Sequence, residues 1–387
     1  MPIVRWLKIR CNDNSSVGRA ANKLLLEAFG WQLVYFDGTF VSSFTARQHF
    51  ANITCLKIEF NNAAEHLLPT INSRRLKYMY LLDIPARFSW KYFCGGQNDS
   101  DTIVFSSLTS LCLRFKDDCF EYHTDMMVDC IEIDAEDSAA DNTPYRVEFP
   151  KLESLFVRDS IEDSILGCTY VFPTELESLN VFNSLETFGL LKQSGVKTVT
   201  RIVAEFYQIT SDEENEFYEY TNWAYRTGNQ SRDKYLSVHN CGFKFNWERM
   251  EWSGVTQLQI TECNMQTFKA ILFYSPRLEV LQVRILVLEG ETDKPYAIGS
   301  EFVGNSSFSA ISPSESLSRI CVQEIHDIEK TLDHAMLLFQ TMIQRFEHLE
   351  KIGVPRRLIS SIAQYVERNK ADYPHLEGIK VVDFINY

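Results

Sequence analysis

The residues of this chain best suited to metal, nucleophilic or redox chemistry are its eight histidines and ten cysteines. A structural zinc site needs four such ligands at short spacings, as in C-x-x-C. The cysteines stand at positions 11, 55, 94, 112, 119, 130, 168, 241, 263 and 321, and none forms a C-x-x-C pair. No histidine has zinc spacing with a cysteine. Glycine-rich phosphate loops, H-E-x-x-H and the G-x-S-x-G nucleophile turn are also missing from the sequence. The acidic stretch from Asp117 to Asp141 lacks the glycine and the ligand offsets of a calcium loop. It reads as a solvated face, a docking face for a basic partner or a weak cation site. No catalytic, cofactor-binding or metal-ligating residue is therefore assigned, and the chain is read as a binding protein. An enzyme with a non-local site near 203–254 is the least favoured alternative.

What is left is the chemistry of recognition. Aromatic residues and Arg dominate interface hot spots because they bury much area and carry directed polar groups. The candidate partner-binding residues are Tyr78, Tyr80, Arg114, Phe156, Arg158, His239, Gln259 and Arg284, with Trp223 and Tyr225 in a separate aromatic segment. The first eight owe their selection to their place in a repeat.

That repeat is apolar-x-x-apolar-x-apolar. Clear copies are Val4-Leu7-Ile9, Ile53-Leu56-Ile58, Leu76-Met79-Leu81, Leu108-Leu111-Leu113 and Val128-Ile131-Ile133. Leu152-Leu155-Val157, Leu176-Leu179-Val181, Val255-Leu258-Ile260 and Leu278-Leu281-Val283 follow. Leu317-Ile320-Val322, Leu349-Ile352-Val354 and Leu376-Ile379-Val381 complete the clear set; weaker copies start near Gly30, Val196 and Asp233. The mean interval is about 27 residues, inside the range of strand-plus-helix repeats. The last two apolar residues of each copy are two apart, so they share one face of a short strand. A single unit buries too little to fold alone. Stacking joins the units into one core, each buried Leu, Ile or Val contributing about 1.5–3 kcal/mol.

Between strands the spacing predicts helices. Residues 17–29 place Ala21, Leu24, Leu25 and Ala28 on one stripe, with Ser16 as N-cap and Gly30 as stop. Residues 265–274 do the same with Phe268, Ile271 and Leu272. Residues 328–348 use Leu332, Ala335, Met336, Phe339, Ile343 and Phe346, and residues 356–369 use Ile359, Ile362, Ala363 and Val366. Strand and helix alternating with one period predict an α/β fold with a parallel sheet and helices outside it.

On these motifs the chain resembles the leucine-rich-repeat superfamily. Asn12, Asn61, Cys241 and Cys263 match the Asn or Cys at the ninth position of the family pattern. The irregular, cysteine-bearing type is similar to the repeat half of fungal F-box proteins. The resemblance implies a horseshoe solenoid over 1–387, with parallel strands on the concave face and helices on the convex face. It also implies a protein–protein interaction scaffold, as the substrate-recognition part of an F-box-type ubiquitin ligase adaptor. The alternative is a free-standing repeat protein unrelated to ubiquitin. Repeats begin at Val4, so no F-box precedes them in this sequence. A Skp1-like adaptor is expected as a partner only if an N-terminal domain is missing from this chain. Unusual end caps are the other explanation, because solenoids normally need polar caps.

The repeat register names the exposed strand positions: Lys8, Arg10, Lys57, Glu59, Tyr78, Tyr80, Arg114, Glu132, Asp134, Phe156, Arg158, Phe182, His239, Gln259, Arg284 and Gln323. They are either a partner surface or the solvated side of a sheet. Segment 203–254 holds twelve aromatics and the acidic run Asp212, Glu213, Glu214 and Glu216. It is either an insertion presenting a binding surface or a helix and loop packed on the solenoid. Segment 84–104, with Phe88, Trp90, Tyr92 and Phe93, poses the same choice, and segment 286–316 is expected to be a mobile loop.

Asp and Glu number 52 against 38 Lys and Arg, a net charge of −14, and no basic run is present. Phosphate backbones and anionic lipid surfaces are bound mainly through Lys and Arg, so neither nucleic acid nor membrane is expected as a partner. No apolar run reaches the ~18 residues of a membrane span. Arg5, Lys8 and Arg10 break any signal-peptide core. Together with unpaired cysteine spacing, this predicts a cytoplasmic or nuclear protein with reduced thiols.

Overall fold

The computed structural model describes residues 5–9, 24–25, 28–39, 50, 52–60, 68, 71–84, 88–94, 102–115, 145–159, 168–205, 217, 219–220, 234–239, 254–288, 316–326 and 328–383. The chain divides into two compact units, Met1–Val196 and Lys197–Tyr387. Each is an α/β structure built on a parallel sheet whose strands follow chain order.

The first unit contains β1 (Trp6–Ile9), β2 (Tyr35–Thr39), β3 (Cys55–Glu59), β4 (Tyr78–Ile84), β5 (Thr102–Val104), β6 (Ser110–Phe115), β7 (Arg146–Glu148), β8 (Ser154–Arg158), β9 (Thr169–Val171) and β10 (Glu175–Phe182). Its main sheet runs β1-β2-β3-β4-β6-β8-β10. The register sets Leu7, Phe36, Leu56, Met79, Leu111, Leu155 and Leu179 side by side. A second ladder two residues on joins Ile9, Gly38, Ile58, Leu81, Leu113, Val157 and Val181. From Phe36 onward the first ladder is buried. The weak copy near Gly30 is in fact Leu33-Phe36-Gly38, three residues later. Phe and Gly in place of Leu obscured it.

Outside this sheet lies a short parallel one, β5-β7-β9, which the helical expectation did not include. Phe105, Phe149 and Phe172 follow its strands and stack at 5.2 and 5.3 Å between ring centres. Trp90 packs edge-on against Phe105 and Phe149 at 5.7 and 5.6 Å. Its indole N–H donates to the Tyr170 hydroxyl at 2.8 Å. Phe88, Trp90 and Phe93 are thus core residues, as the packing reading of segment 84–104 expects for them; residues 85–87 and 95–101 lie outside the described residues. Helix α1 (Glu186–Gln193), absent from the sequence expectations, ends at Ser194 and Gly195, whose φ of +90° a side chain would strain.

The second unit stacks β11 (Thr198–Glu205), β12 (Tyr235–His239), β13 (Gln257–Asn264), β14 (Val280–Val287), β15 (Arg319–Ile325), β16 (Lys351–Val354) and β17 (Lys380–Asp383). Ile202, Leu236, Leu258, Leu281, Ile320, Ile352 and Val381 form its first ladder. Two registers differ from expectation. The weak copy placed at Val196 begins at Val199. In the last copy Val381, rather than Ile379, stands beside Ile352, a slip of two residues that keeps the same face inward. Segment 203–254 contains the ladder strand β12, and β14 runs into the expected loop as far as Val287.

Helix α2 (Met265–Tyr274) is capped by Asn264, whose side chain accepts from the Thr267 N–H at 2.8 Å. It buries Phe268, Ile271 and Leu272 as the spacing predicts. Helix α3 (Ile328–Arg345) buries Ala335, Phe339 and Ile343, but Leu332 is 45% exposed. Helix α4 (Ile359–Asn369) buries Ile362 and Val366. Within 17–29, Leu24, Leu25 and Ala28 are helical, yet they are exposed. The residues that bury at this point are Gly30, Leu33 and Phe36, which carry the chain into β2.

Candidate functional site

Strand alternation sends one set of side chains into the core and the other to the opposite, open face. In the first unit that face carries two rows. One is Trp6, Tyr35, Cys55, Tyr78, Ser110, Ser154 and Ser178. The other is Lys8, Asp37, Lys57, Tyr80, Cys112, Phe156 and Asn180. Arg114, Arg158 and Phe182 form a third, shorter row. Five candidates, Tyr78, Tyr80, Arg114, Phe156 and Arg158, therefore meet on β4, β6 and β8. Tyr78 is 45% exposed and Phe156 lies 5.1 Å from the Phe182 ring.

Charge on this face is locally paired. Arg114 donates from Nε and Nη2 to Asp83 Oδ1 at 3.1 and 2.7 Å. Asp83 reaches it from a left-handed conformation, φ 53°, at an irregularity in the β4–β6 register. Arg158 lies 3.6 Å from Asp159, which is left-handed too. Asp37, nearly buried, receives Lys8 at 3.1 Å, Lys57 at 3.6 Å and the Tyr35 hydroxyl at 3.4 Å. Trp6 stacks on Tyr35 at 4.7 Å.

The thiols on this face are not activated. Burial pushes Cys55 up to about 11, helped by the Asp37 charge. Burial also pushes Cys112 up to about 11 against the pull of Arg114 and Lys57. A nucleophilic or metal-binding cysteine needs the opposite shift. Tyr80, beside both thiols, is raised by burial as well. Among the described residues no group of three His, Cys, Asp or Glu side chains is placed to hold a metal, and no helix is long and apolar enough to cross a membrane.

The second unit holds the remaining described candidates. Gln259 accepts from the Tyr235 hydroxyl at 2.6 Å, and the Arg201 guanidinium lies 4.4 Å from the Tyr235 ring centre. Arg284 is exposed on β14. His239 ends β12, opposite Glu205 in the register. Trp223, Tyr225, Arg10, Glu132, Asp134 and the Val128 copy lie outside the described residues.

Sequence reasoning missed Trp6, Tyr35, Asp37 and Asp83. Tyr35 and Asp37 belong to the misplaced β2 copy, Trp6 stands on β1 beside that copy, and Asp83 depends on a backbone irregularity. Two usable signals went unread. Ser or Thr follows the first apolar residue in several copies, and Thr54, Thr109, Thr256 and Ser318 each bond the carbonyl of the equivalent residue one repeat earlier. Phe three residues before the first apolar position marks a turn, as at Phe50, Phe105, Phe149 and Phe346.

No family model and no curated protein matches this chain.

Proposed function

We propose that this chain is a protein-binding scaffold whose partner docks on the open face of the first unit. The observation that carries the reading is the register that gathers Tyr78, Tyr80, Phe156 and Phe182 with Arg114 and Arg158 on neighbouring strands, outside the core. Rings held by a rigid sheet and guanidinium groups oriented by carboxylates lose little freedom on binding, which favours affinity. The raised thiols of Cys55 and Cys112 agree with binding rather than nucleophilic chemistry on this face. The finer reading, substrate recognition for an F-box-type ubiquitin ligase, is supported by the irregular repeat pattern.

The test is tagged expression in the native host with cross-linking and mass spectrometry, comparing the natural chain with Tyr80→Ala/Phe156→Ala. Loss of two aromatic anchors costs at least about 2 kcal/mol, some thirtyfold in affinity. A partner lost from the variant supports the scaffold reading. An adaptor and cullin among the proteins captured support the ligase reading, whereas one stoichiometric partner without them supports a free-standing scaffold. Equal capture by both chains refutes the assigned face.

A further inference from the structure

The open face of the first unit has a low point at β6. The register sets Cys112 between Tyr80 on β4 and Phe156 on β8. In the next row Ser110 and Ser154 stand side by side on β6 and β8. Cys and Ser stop at the atom after Cβ, where Tyr and Phe begin a ring. Small, half-buried side chains thus floor a notch that Tyr80 walls on one side and Phe156 on the other. Ser110, at the foot of one wall, lies within hydrogen-bonding reach of the Tyr80 hydroxyl. Phe156 packs on the Phe182 ring at 5.1 Å, on the side away from β4. No ring contact joins Tyr80 to Phe156 among the described residues.

Width and charge define what fits. Neighbouring parallel strands stand about 4.8 Å apart, so about 9.6 Å separates β4 from β8. A ring entering midway lies about 4.8 Å from each wall, inside the ~4.5–7 Å between centroids of interacting aromatic pairs. The cations that act on Cys112 are Arg114 and Lys57, and they face the carboxylates of Asp83 and Asp37. Burial keeps the Cys112 thiol protonated, with its value pushed up to about 11. A neutral floor between paired charges does not favour a carboxylate or an ammonium group. Arg114 spends Nε and Nη2 on Asp83, which leaves Nη1 without a bond among the described residues. From the rim of the notch it can donate to a carbonyl oxygen.

We infer that this notch takes one aromatic side chain of the partner protein. Its ring enters between Tyr80 and Phe156 over Cys112, and a backbone carbonyl beside it accepts from Arg114. An aliphatic side chain meets the same walls but lacks ring pairing on both sides. Walls already held in place lose little freedom when the ring enters. The inference rests on the reading of this face as the docking surface and names the anchor that the face selects.

The experiment titrates the full chain with an end-blocked Gly-Ser-Tyr-Ser-Gly peptide, followed by saturation-transfer NMR. Versions with Leu or Glu in place of Tyr are the controls. The Tyr peptide is expected to bind and to slow alkylation of Cys112 by iodoacetamide. The Leu and Glu versions should bind about fivefold or more weaker, the yield of two ring pairs. Cys112→Leu fills the notch from the open face and should weaken the Tyr peptide about tenfold or more. Cys112→Ala keeps the notch open and should bind within about twofold of the natural chain. Circular dichroism checks folding, and Phe156→Ala, which removes a wall, decides if the Leu variant is unfolded. Failure of the Tyr peptide to bind overturns the inference. So does equal binding of the Leu peptide, or undiminished binding by Cys112→Leu. Capture in the native host separates the anchor from the face. A partner kept by Cys112→Leu but lost by Tyr80→Ala/Phe156→Ala sinks the anchor alone, whereas one kept by both sinks the face as well.

Discussion

Trp90 is the sharpest test of how the outer layer of the first unit is built. It is 1% exposed, touches Phe88, Phe93, Phe105 and Phe149, and gives its indole N–H to Tyr170. Tyr170→Phe removes the acceptor and leaves that N–H buried without its partner, a cost of about 1–3 kcal/mol. Trp90→Phe removes the donor and some apolar volume beside a small cavity already lined by Trp90, Phe149 and Phe172. About 2–3 kcal/mol is expected, below the ~3–5 kcal/mol of a truncation to Ala. The double variant has no orphaned N–H, so its cost should fall short of the sum by about 1 kcal/mol. Urea unfolding followed by far-UV circular dichroism measures all four proteins, provided the m-value holds constant. Additive costs, with no coupling, would refute the contact and with it the placement of Trp90 against the β5-β7-β9 layer.

Three further outcomes follow from particular residues. A Cβ at Gly30 would meet the buried Phe50 ring at 2.8 Å, so Gly30→Ala should destabilise by about 1–3 kcal/mol in thermal or urea unfolding; an unchanged midpoint would contradict that close approach. Cys55 and Cys112 should be alkylated by iodoacetamide at mildly alkaline pH far more slowly than a free thiol. Their folded values lie near 11 against the ordinary 9.0, so the native state holds protons that the unfolded chain releases. Stability should therefore fall as pH rises between those values, and Cys55→Ser/Cys112→Ser should flatten that fall. A stability gain across that window would reverse the sign and reject the assignment.

Much of the fold is legible in the residues because the repeat states the same physics many times. Leu56-Ile58, Leu155-Val157, Leu179-Val181 and Leu281-Val283 bury as their spacing demands, and Phe268, Ile271 and Leu272 form the predicted stripe of α2. Legibility fails where a copy departs from Leu, as at Leu33-Phe36-Gly38. It fails again where strands rather than helices cover the sheet. Thr102–Val104 and Thr169–Val171 are too short to show a period, and their pairing partners lie dozens of residues away. Leu24, Leu25 and Leu332 have helical spacing yet face solvent, since a stripe says which residues lie together and not whether a partner covers them.

The sequence by itself determined the repeat, the parallel strands it requires and the inward face of nearly every copy among the described residues. Those follow from the period-two geometry of a strand and from the burial of apolar side chains, both local properties. Only the tertiary structure decided which open-face residues are neighbours. The register set Cys112 between Tyr80 and Phe156, Arg114 beside Arg158, and Lys351 between Arg319 and Lys380. Insertions of unequal length separate these residues along the chain, and hydrogen bonds between strands, blind to what the outward side chains are, bring them into line.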